Sequence, residues 1–443
     1  MSPPLTSLID QTTHIVPSFT LECGSELRNV PVAYKTWGKL NEAGTNVMVI
    51  CHALTGSADV EDWWGPLMGP GKAFDPRIFF IVCCNVLGSP YGSASPIAID
   101  PQIQEPYGPE FPPTTIRDDV RLHKVILDHL GVRSVYVAVG GSMGGMQVLE
   151  WPLCTAPGYI KHIIPLATSA RHSAWGISWG EAQRKAVYSD PDYDDGWYFR
   201  TPGKGPAAGL AAARMSALLT YRSRDSFESR FGRKTQNKPS TSSDPSKDES
   251  GGNPAYAAHN EGHRSPRVTS PRPTSPRPSF QSQPQVFSAQ SYLRYQGDKF
   301  TARFDANCYI HITRKMDTHD IARDREDEGD EDEDTSLARV LAQLPPALVI
   351  SIASDGLFTP FEQKFIAKHI LDSELVTIAS EDGHDGFLLE FQAIGEAVKR
   401  WLRDRAKDSA DVEWRDDVAE GEQDYSAKKT SVFGEAEVDV VNW

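Results

Sequence analysis

The sequence predicts an α/β protein whose mostly parallel central sheet is covered by helices on both faces. Short apolar runs of the buried-strand type recur along the chain, and segments with helical spacing separate them. One strand-like run leads directly into a glycine-rich turn and a further helix, within residues 134–151. Such alternation is typical of a parallel sheet, because a helix usually makes the crossover between parallel strands.

The predicted elements begin with an N-terminal β section. Residues 18–23 and 30–34 have the character of strands joined by a polar turn, and 46–51 and 79–86 that of buried parallel strands. Residues 116–130 have apolar positions at helical spacing, and Gly131 ends the pattern. The remaining predictions are strands at 134–139, 160–167, 346–352 and 374–379, and helices at 146–151 and 361–371.

Residues 172–320 interrupt this alternation, and we interpret them as a helical lid over the sheet. Within the lid, 233–285 is of low complexity and contains three Ser-Pro-Arg repeats, so it is predicted to be disordered. The acidic run, in which nine of the eleven residues at 324–334 are Asp or Glu, is expected to be solvated and mobile. The predicted organisation is a first core segment 1–171, the lid 172–320, the acidic run 321–336, a second core segment 337–408 and an acidic C-terminal tail 409–443.

Composition excludes several classes of function. The net charge of −15 argues against a surface for nucleic acid or an anionic membrane. No run reaches the roughly 18 apolar residues of a membrane span, and no signal peptide is evident. The six cysteines lack a Cys-x-x-Cys pair and indicate a reduced, intracellular protein. No metal site is predicted, because His259 and His263 have His-x-x-x-His spacing but lie in the low-complexity segment, and no turn geometry fixes the carboxylates of the acidic run.

The most informative motif is Gly-Gly-Ser-Met-Gly at 140–144, placed between the predicted strand and helix. A serine on so tight a strand-to-helix turn projects its hydroxyl above the sheet, as in the nucleophile elbow of the α/β-hydrolase fold. Developing negative charge is also favoured there by the helix N-terminus. The motif therefore predicts that Ser142 is a nucleophile; the alternative is an ordinary glycine-rich β-to-α turn.

Partners for this serine follow in the order that such a fold requires, serine then acid then histidine. Asp355 follows the strand 346–352, and His384 lies in the loop after the strand 374–379. A serine hydroxyl needs an adjacent base at neutral pH. We therefore predict that His384 removes its proton and that Asp355 holds the imidazole tautomer.

An oxyanion hole is expected beside the nucleophile. In this fold one amide comes from the residue after the serine, and a second comes from the loop after an earlier strand. Met143 is the candidate for the first amide. Leu54, in the loop that follows the strand 46–51, is the candidate for the second.

Six motifs in order give the chain a specific resemblance to the homoserine O-acetyltransferase family, a CoA-dependent acyltransferase branch of the α/β-hydrolase superfamily. The resemblance runs from about residue 14 to about residue 405, and its insertions are of the fungal type. The motifs are His-Ala-Leu-Thr-Gly-Ser at 52–57, Gly-Gly-Ser-Met-Gly-Gly-Met-Gln at 140–147, Leu-Thr-Tyr-Arg at 219–222, Tyr-Gln-Gly-Asp-Lys-Phe at 295–300, Arg-Phe-Asp-Ala-Asn at 303–307 and Gly-His-Asp-Gly-Phe-Leu at 383–388.

The resemblance implies that acetyl-CoA is a co-substrate, that no cofactor is permanently bound, and that acetyl passes through Ser142 to the side-chain hydroxyl of L-homoserine in methionine biosynthesis. It also implies that Arg214, Tyr221 and Asp385 bind the amino acid. A cytoplasmic homodimer formed through the lid helices is a further implication. From the residues alone, Arg214 has the alternative of a surface cation and Asp385 that of a loop-capping carboxylate.

Two alternatives remain open on sequence grounds. One is acyl transfer to L-serine, or from a succinyl donor, within the same branch. L-Serine is one methylene shorter than L-homoserine, and a pocket discriminates against such a difference by only about 1–3 kcal/mol. The other is a serine esterase or thioesterase. The triad is the same in all of these, so the pocket decides whether water or a bound alcohol reaches the acyl-enzyme.

Overall fold

The computed structural model describes residues 5–235, 259–263, 285–327, 332–407 and 409–415, and within them one eight-stranded sheet. Its strands are β1 Thr12–Thr20, β2 Glu26–Trp37, β3 Val47–Cys51, β4 Phe80–Cys84, β5 Val135–Gly141, β6 Ile160–Leu166, β7 Ala347–Ile352 and β8 Ser373–Ile378. The order is β1-β2-β4-β3-β5-β6-β7-β8. The β1–β2 and β2–β4 pairs are antiparallel, and every later pair is parallel. The predicted mostly parallel sheet is therefore confirmed.

Helices cover both faces of this sheet, as the burial of successive residues in β3 illustrates. Val47, Val49 and Cys51 belong to one hydrophobic core, whereas Met48 and Ile50 belong to the other. The α-helices are α1 Val60–Trp64, α2 Ile116–His129, α3 Met143–Leu153, α4 Ala174–Tyr188, α5 Ala207–Tyr221, α6 Arg224–Arg230, α7 Ser288–Thr301, α8 Ala306–Asp317, α9 Glu333–Leu341, α10 Pro360–His369, α11 Gly386–Leu389 and α12 Phe391–Ala406. Helices α2, α3, α9 and α10 contribute to the core that contains Val47, whereas α1 and α12 contribute to the core that contains Met48.

Helix α2 shows why local sequence predicted these elements well. Thr115 accepts a hydrogen bond from the amide of Asp118, and the Asp118 carboxylate accepts one from the Thr115 amide, forming a capping box. Gly131 follows the helix with φ of 84°, a left-handed conformation that favours glycine. The N-terminal section differs more, because β1 already begins at Thr12. Its first residues are polar and are held by pairing with β2 rather than by burial.

Helices α4 to α8 all lie between β6 and β7, where the sequence places a lid. Helices α4, α5, α7 and α8 share a third hydrophobic core with the loop after β4 and with Met143 and Met146 at the start of α3. Thr235 forms an isolated antiparallel bridge with Phe287, which closes the gap between α6 and α7. Most of the segment predicted to be disordered, 233–285, lies outside the described residues.

Two arginines at the start of the acidic run contact the core, while the described carboxylates of the run are exposed. Arg325 Nη2 lies 2.8 Å from Glu150 Oε2, and Arg323 Nη2 lies 2.8 Å from Glu22 Oε2, so interspersed arginines fasten this segment to the core. Asp332 then caps α9, which begins at Glu333, by accepting from the amide of Thr335 at 2.7 Å. Residues 328–331 lie outside the described part of the chain.

The C-terminal tail also begins on the core. Val412 is buried, and the Trp414 ring packs edge-on against Phe79 with 6.4 Å between centroids. The tail beyond residue 415 is outside the described residues. In the described segments no helix is long and apolar enough to cross a membrane.

Candidate active site

Ser142 occupies the sharp turn between β5 and α3. Its backbone has φ of 57° and ψ of −126°, a strained conformation for a residue with a side chain. Two contacts from β6 and the loop after it hold that conformation: the Ser142 amide donates to the carbonyl of Leu166 at 3.0 Å, and Thr168 Oγ1 donates to the Ser142 carbonyl at 2.7 Å. The strain raises the hydroxyl above the sheet at the helix N-terminus, as the motif predicted.

Glycines beside the nucleophile allow neighbouring elements to approach closely. A Cβ on Gly144 would lie 2.1 Å from the carbonyl oxygen of Cys51, and one on Gly141 would lie 2.4 Å from the ring of Phe387. No side chain fits at either distance. The pattern therefore seats the start of α3 directly against the end of β3 and the loop of the candidate base.

His384 and Asp355 form a buried pair at the ends of β8 and β7. His384 Nδ1 lies 2.7 Å from Asp355 Oδ2, and both residues are almost fully buried. The other carboxylate oxygen, Oδ1, accepts from the amides of Leu357 and Phe358 at 2.8 and 2.9 Å. Both carboxylate oxygens are thereby committed, so Asp355 fixes the Nδ1–H tautomer and leaves Nε2 as the basic nitrogen.

Aromatic rings surround His384. Phe358, Phe387 and Tyr221 have ring centroids 5.1, 5.0 and 6.1 Å from the imidazole. Close by, burial raises the pKa of Glu362 to about 7, the charge of Asp355 acting in the same direction while hydrogen bonds with Thr359 oppose it. This carboxyl therefore titrates near neutral pH beside the candidate triad.

The candidate oxyanion amides lie on the two loops that border Ser142. Leu54 lines the cavity above the sheet, and Met143 is the first residue of α3. Within the described residues neither amide donates to a backbone carbonyl. His52 anchors the Leu54 loop: its Nε2 accepts from the amide of Val86 at 3.1 Å, and its Nδ1 lies 2.8 Å from the carbonyl of Ala53. That network assigns the Nδ1–H tautomer and fixes the direction of the loop.

A cavity whose lining includes Ser142 and His384 lies over the carboxyl ends of the parallel strands. This is where open α/β sheets bind ligands. Asp355 and Met143 do not line it; the first lies behind His384, and the second would act through its backbone. The other six predicted site residues line the cavity: Ser142, His384, Leu54, Arg214, Tyr221 and Asp385.

Arg214 is buried in the wall of this cavity, which removes the alternative of a surface cation. Its guanidinium lies 5.0 Å from the Phe300 ring centroid and 5.7 Å from that of Tyr221. Nη1 donates to Thr55 Oγ1 at 3.4 Å, while the buried Nε has no hydrogen-bond partner among the described residues. A cation held chiefly by aromatic rings is available to a carboxylate.

Asp385 supplies a negative charge in the same cavity, and Arg222 holds it. Arg222 Nε lies 2.7 Å from Asp385 Oδ2, and Arg222 Nη1 donates to Asp382 Oδ1 at 2.7 Å. These carboxylates raise the pKa of Arg222 against the effect of its burial. The sequence analysis assigned no role to Arg222, although this residue directly follows Tyr221 in the motif Leu-Thr-Tyr-Arg at 219–222.

The arrangement can perform covalent acyl transfer. A nucleophile, an imidazole held by a carboxylate, and two amides that donate to no backbone carbonyl adjoin one cavity, which also carries a cation and an anion for a zwitterionic substrate. Among the described residues, no group of three or more His, Cys, Asp or Glu side chains is placed to hold a metal ion.

Comparisons with known proteins agree with this geometry. The family model for the α/β hydrolase fold matches residues 46–391. A homoserine O-acetyltransferase of Cryptococcus neoformans var. grubii is 52% identical over 99% of this chain and 97% of that protein. One from Saccharomyces cerevisiae is 49% identical over 99% of this chain and 96% of its own length.

Solved structures with the same fold include both transferases and esterases. Homoserine O-acetyltransferase from Bacillus anthracis has a TM-score of 0.71 at 20% identity, covering 89% of this chain and 97% of that one. Esterase E22 has a TM-score of 0.70 at 24% identity, covering 89% and 99%. At such identities these likenesses show the fold alone. Taken with the near full-length sequence matches, the chain belongs to the homoserine O-acetyltransferase family of α/β-hydrolase-fold proteins.

Proposed function

We propose that this chain transfers the acetyl group of acetyl-CoA to the side-chain hydroxyl of L-homoserine, through an acetyl-Ser142 intermediate, as a step of methionine biosynthesis. One observation carries the proposal: the buried cation Arg214 and the anion Asp385 line the same cavity as Ser142 and His384. An α-amino acid presents one carboxylate and one ammonium, so its recognition requires both charges. A plain esterase needs neither.

In the first half-reaction, His384 Nε2 removes the hydroxyl proton of Ser142 as Oγ attacks the thioester carbonyl. The negative charge on the carbonyl oxygen is received by the amides of Leu54 and Met143. The C–S bond then breaks, and the CoA thiolate takes the proton from His384. Asp355 stabilises the imidazolium between these two proton transfers.

In the second half-reaction, L-homoserine occupies the position that CoA has left. Its hydroxyl gives a proton to His384 Nε2 and attacks the acetyl-serine carbonyl. The same two amides receive the oxyanion, and the Ser142 Oγ–C bond breaks as Ser142 regains its proton. The products are O-acetyl-L-homoserine and the original enzyme, so atoms and charge balance with no cofactor.

Arg214 would bind the carboxylate of the acceptor, and Asp385 would bind its ammonium, with Tyr221 between Arg214 and His384. The contacts around Asp385 support this assignment, because Arg222 engages Oδ2 and fixes the carboxylate toward the cavity. Two fixed charges orient the amino acid, so that its side-chain hydroxyl is presented to the acyl-enzyme rather than leaving that place to water.

We further propose that the protein is a cytoplasmic homodimer assembled through its lid helices. Large apolar side chains are exposed on three of them: Trp175 of α4 at 58%, Leu219 of α5 at 52% and Tyr295 of α7 at 41%. Exposed apolar area of this kind is typical of protein interfaces. Sedimentation equilibrium of wild type and of Leu219→Glu tests the assembly; a wild-type monomer at micromolar concentration contradicts it.

Thiol release from acetyl-CoA, with product identification by mass spectrometry, tests the reaction. We expect rapid release and O-acetyl-L-homoserine with L-homoserine, and little release with L-serine or with no acceptor. Succinyl-CoA should be the poorer donor. If thiol release is as fast without an acceptor as with L-homoserine, the protein is a hydrolase. If release is faster with L-serine than with L-homoserine, the protein is a serine O-acyltransferase.

The variant Ser142→Ala tests whether Ser142 is the nucleophile. It removes only the attacking oxygen, so it should abolish thiol release while leaving the fold and the cavity intact. Full turnover by this variant would overthrow the proposed covalent mechanism.

A further inference from the structure

Two buried polar residues, Thr168 and Gln363, link the segments that carry the candidate triad. Thr168 follows β6, whereas Gln363 belongs to α10. Both are fully buried, and neither lines the cavity whose lining includes Ser142 and His384. Buried polar side chains need hydrogen-bond partners, and the partners of these two include backbone groups of the triad segments. The proposed mechanism gives Gln363 no role.

The hydroxyl of Thr168 acts on the backbone of the nucleophile. Its Oγ1 donates to the Ser142 carbonyl at 2.7 Å, and the same carbonyl accepts from the amide of Gly145 at 2.9 Å, in the first turn of α3. The positive φ of Ser142 is unfavourable for a residue with a Cβ, and it persists only where neighbouring groups hold it. Thr168 is therefore one of the groups that keep the nucleophile turn in its strained shape.

The second glycine after Met143 makes room for Thr168. A Cβ on Gly145 would lie 2.5 Å from the Cβ of Thr168 and 2.8 Å from its Oγ1. No side chain fits at these distances, so the threonine hydroxyl can reach the Ser142 carbonyl only if residue 145 is glycine. The extension of the serine motif beyond Gly144 therefore has a structural reason.

Gln363 joins Thr168 to the loop of the candidate acid. Its Nε2 donates to the carbonyl of Thr168 at 2.6 Å and to the carbonyl of Phe358 at 3.3 Å. The amide of Phe358 in turn donates to Asp355 Oδ1 at 2.9 Å. Ser351 Oγ, on β7, donates to Gln363 Oε1 at 3.2 Å and so fixes which way the side-chain amide faces. Hydrogen bonds therefore connect the acid loop with the nucleophile turn.

These contacts matter because acyl transfer tolerates little displacement of its reacting groups. The hydroxyl of Ser142 must stay within hydrogen-bond reach of His384, and a displacement of about 1 Å can cost about 100-fold in rate. Asp355 orients His384, and Thr168 holds Ser142. Because Gln363 donates to the backbone at both supports, it fixes the position of the nucleophile relative to the base.

We propose that Thr168 and Gln363 are positioning residues for acyl transfer. Thr168 holds the backbone of Ser142, and Gln363 keeps Thr168 in register with the loop of Asp355. The proposal rests on the proposed function, in which Ser142 is acylated, and it deepens that function by naming residues on which the reactivity of the serine depends. Both half-reactions use Ser142, so loss of either contact should slow both. Binding of both substrates should be unchanged, since neither residue lines the cavity.

The first test replaces Thr168 by Val, which removes the hydroxyl and keeps the branched shape. We expect single-turnover thiol release and kcat to fall about 10- to 100-fold, while KM for acetyl-CoA and for L-homoserine stays within about threefold. Thr168→Ser keeps the hydroxyl and should restore the rate to within about threefold of wild type. Rates are expressed per active site, titrated by the burst of thiol, so that a misfolded fraction does not contribute.

The matched control is Thr114→Val. Thr114 is also a buried threonine with a hydrogen-bonded hydroxyl, 2.7 Å from His311 Nε2, but it does not line the catalytic cavity. Its replacement should leave the rate per active site unchanged even if it lowers the unfolding temperature. A loss of rate in Thr114→Val as large as in Thr168→Val would show that lost stability, and not lost positioning, slows the reaction.

The second test is a double-mutant cycle with Gln363→Met, which removes both donors at similar volume. We expect a loss in kcat of the same kind as in Thr168→Val. Because Gln363 acts through Thr168, the double variant should be close to the slower single variant. Losses that multiply would refute the link between the two residues. Unchanged rates per active site in both single variants, or losses confined to KM, would overturn the proposal.

The same variants separate this inference from the proposed function. Wild type that transfers acetyl to L-homoserine, with Thr168→Val and Gln363→Met as active as wild type, would refute the positioning role alone. If wild type is acylated but does not use L-homoserine, the proposed function fails, and acylation of Ser142 by p-nitrophenyl acetate still tests the positioning role. Wild type that is not acylated at Ser142 would refute both.

Discussion

Replacing Asp355 by Asn should inactivate the enzyme by reversing the histidine tautomer. Asp355 Oδ1 accepts from two backbone amides, and Oδ2 lies 2.7 Å from His384 Nδ1. An asparagine has only one oxygen. If that oxygen continues to face the two amides, its NH₂ group faces Nδ1 and places the imidazole proton on Nε2, where it can no longer accept from Ser142.

The structure sets the size of the effect. Turning the amide to restore the active tautomer would point NH₂ at two buried N–H groups and leave both without an acceptor, at a cost of about 1–3 kcal/mol each. The total of about 2–6 kcal/mol corresponds to roughly 30- to 10⁴-fold less of the productive tautomer. Loss of the charge that stabilises the imidazolium adds to this, so we expect kcat/KM to fall by about 10³- to 10⁴-fold.

The assay is thiol release from acetyl-CoA in the presence of L-homoserine, with far-ultraviolet circular dichroism and thermal unfolding to show that the variant is folded. Glu362→Gln is the matched control. It makes the same carboxyl-to-amide change beside the triad, and glutamine preserves the capping box with Thr359. Asp355→Asn within tenfold of wild type, or a loss as large in Glu362→Gln, would refute the tautomer argument.

Three further predictions concern stability and substrate binding. Lys315→Met removes the partner of the fully buried Asp119, whose pKa burial already raises to about 6. The variant should lose about 3–5 kcal/mol of stability at pH 8 but less at pH 5, where protonation removes the lone charge; urea unfolding that shows no pH dependence would contradict this. Gly144→Ala places a methyl group 2.1 Å from a main-chain oxygen of β3 and should lower the unfolding temperature sharply. Gly356→Ala, which meets open space, is its control. Asp385→Asn should raise KM for L-homoserine about 10- to 100-fold while the first burst of thiol release stays within about twofold, and an equal loss in the burst would remove Asp385 from the acceptor site.

The sheet and the candidate triad could be predicted because their signals are local. The buried strands are short apolar runs, and the turn at Ser142 requires small neighbours whose identity is visible in five residues. Asp355 and His384 could be placed because each follows a strand end, and the carboxyl ends of parallel strands meet at one edge. The spacing between them, one helix and one strand, matches α10 and β8.

The role of Arg222 could not be predicted, since it depends on packing between distant segments. Nothing near Arg222 in the sequence indicates that the carboxylates of Asp382 and Asp385 lie 2.7 Å from it. The contacts made by arginines of the acidic run could not be predicted for a similar reason. The composition of the run is that of a solvated segment, but Arg323 and Arg325 within it find the carboxylates of Glu22 and Glu150, which lie far away in the chain.

The bridge between Thr235 and Phe287 has a consequence for how this chain tolerates change. The two ends of the long connection meet there, and Ser288 N donates to the carbonyl of Lys234 at 2.8 Å just beside them. The entropy of closing a loop grows only with the logarithm of its length, by about 0.6 kcal/mol for each doubling. Because Thr235 and Phe287 pair whatever the length of chain that joins them, a change in that length should cost little, provided that Glu261, which pairs with Arg294 at 2.7 Å, is kept.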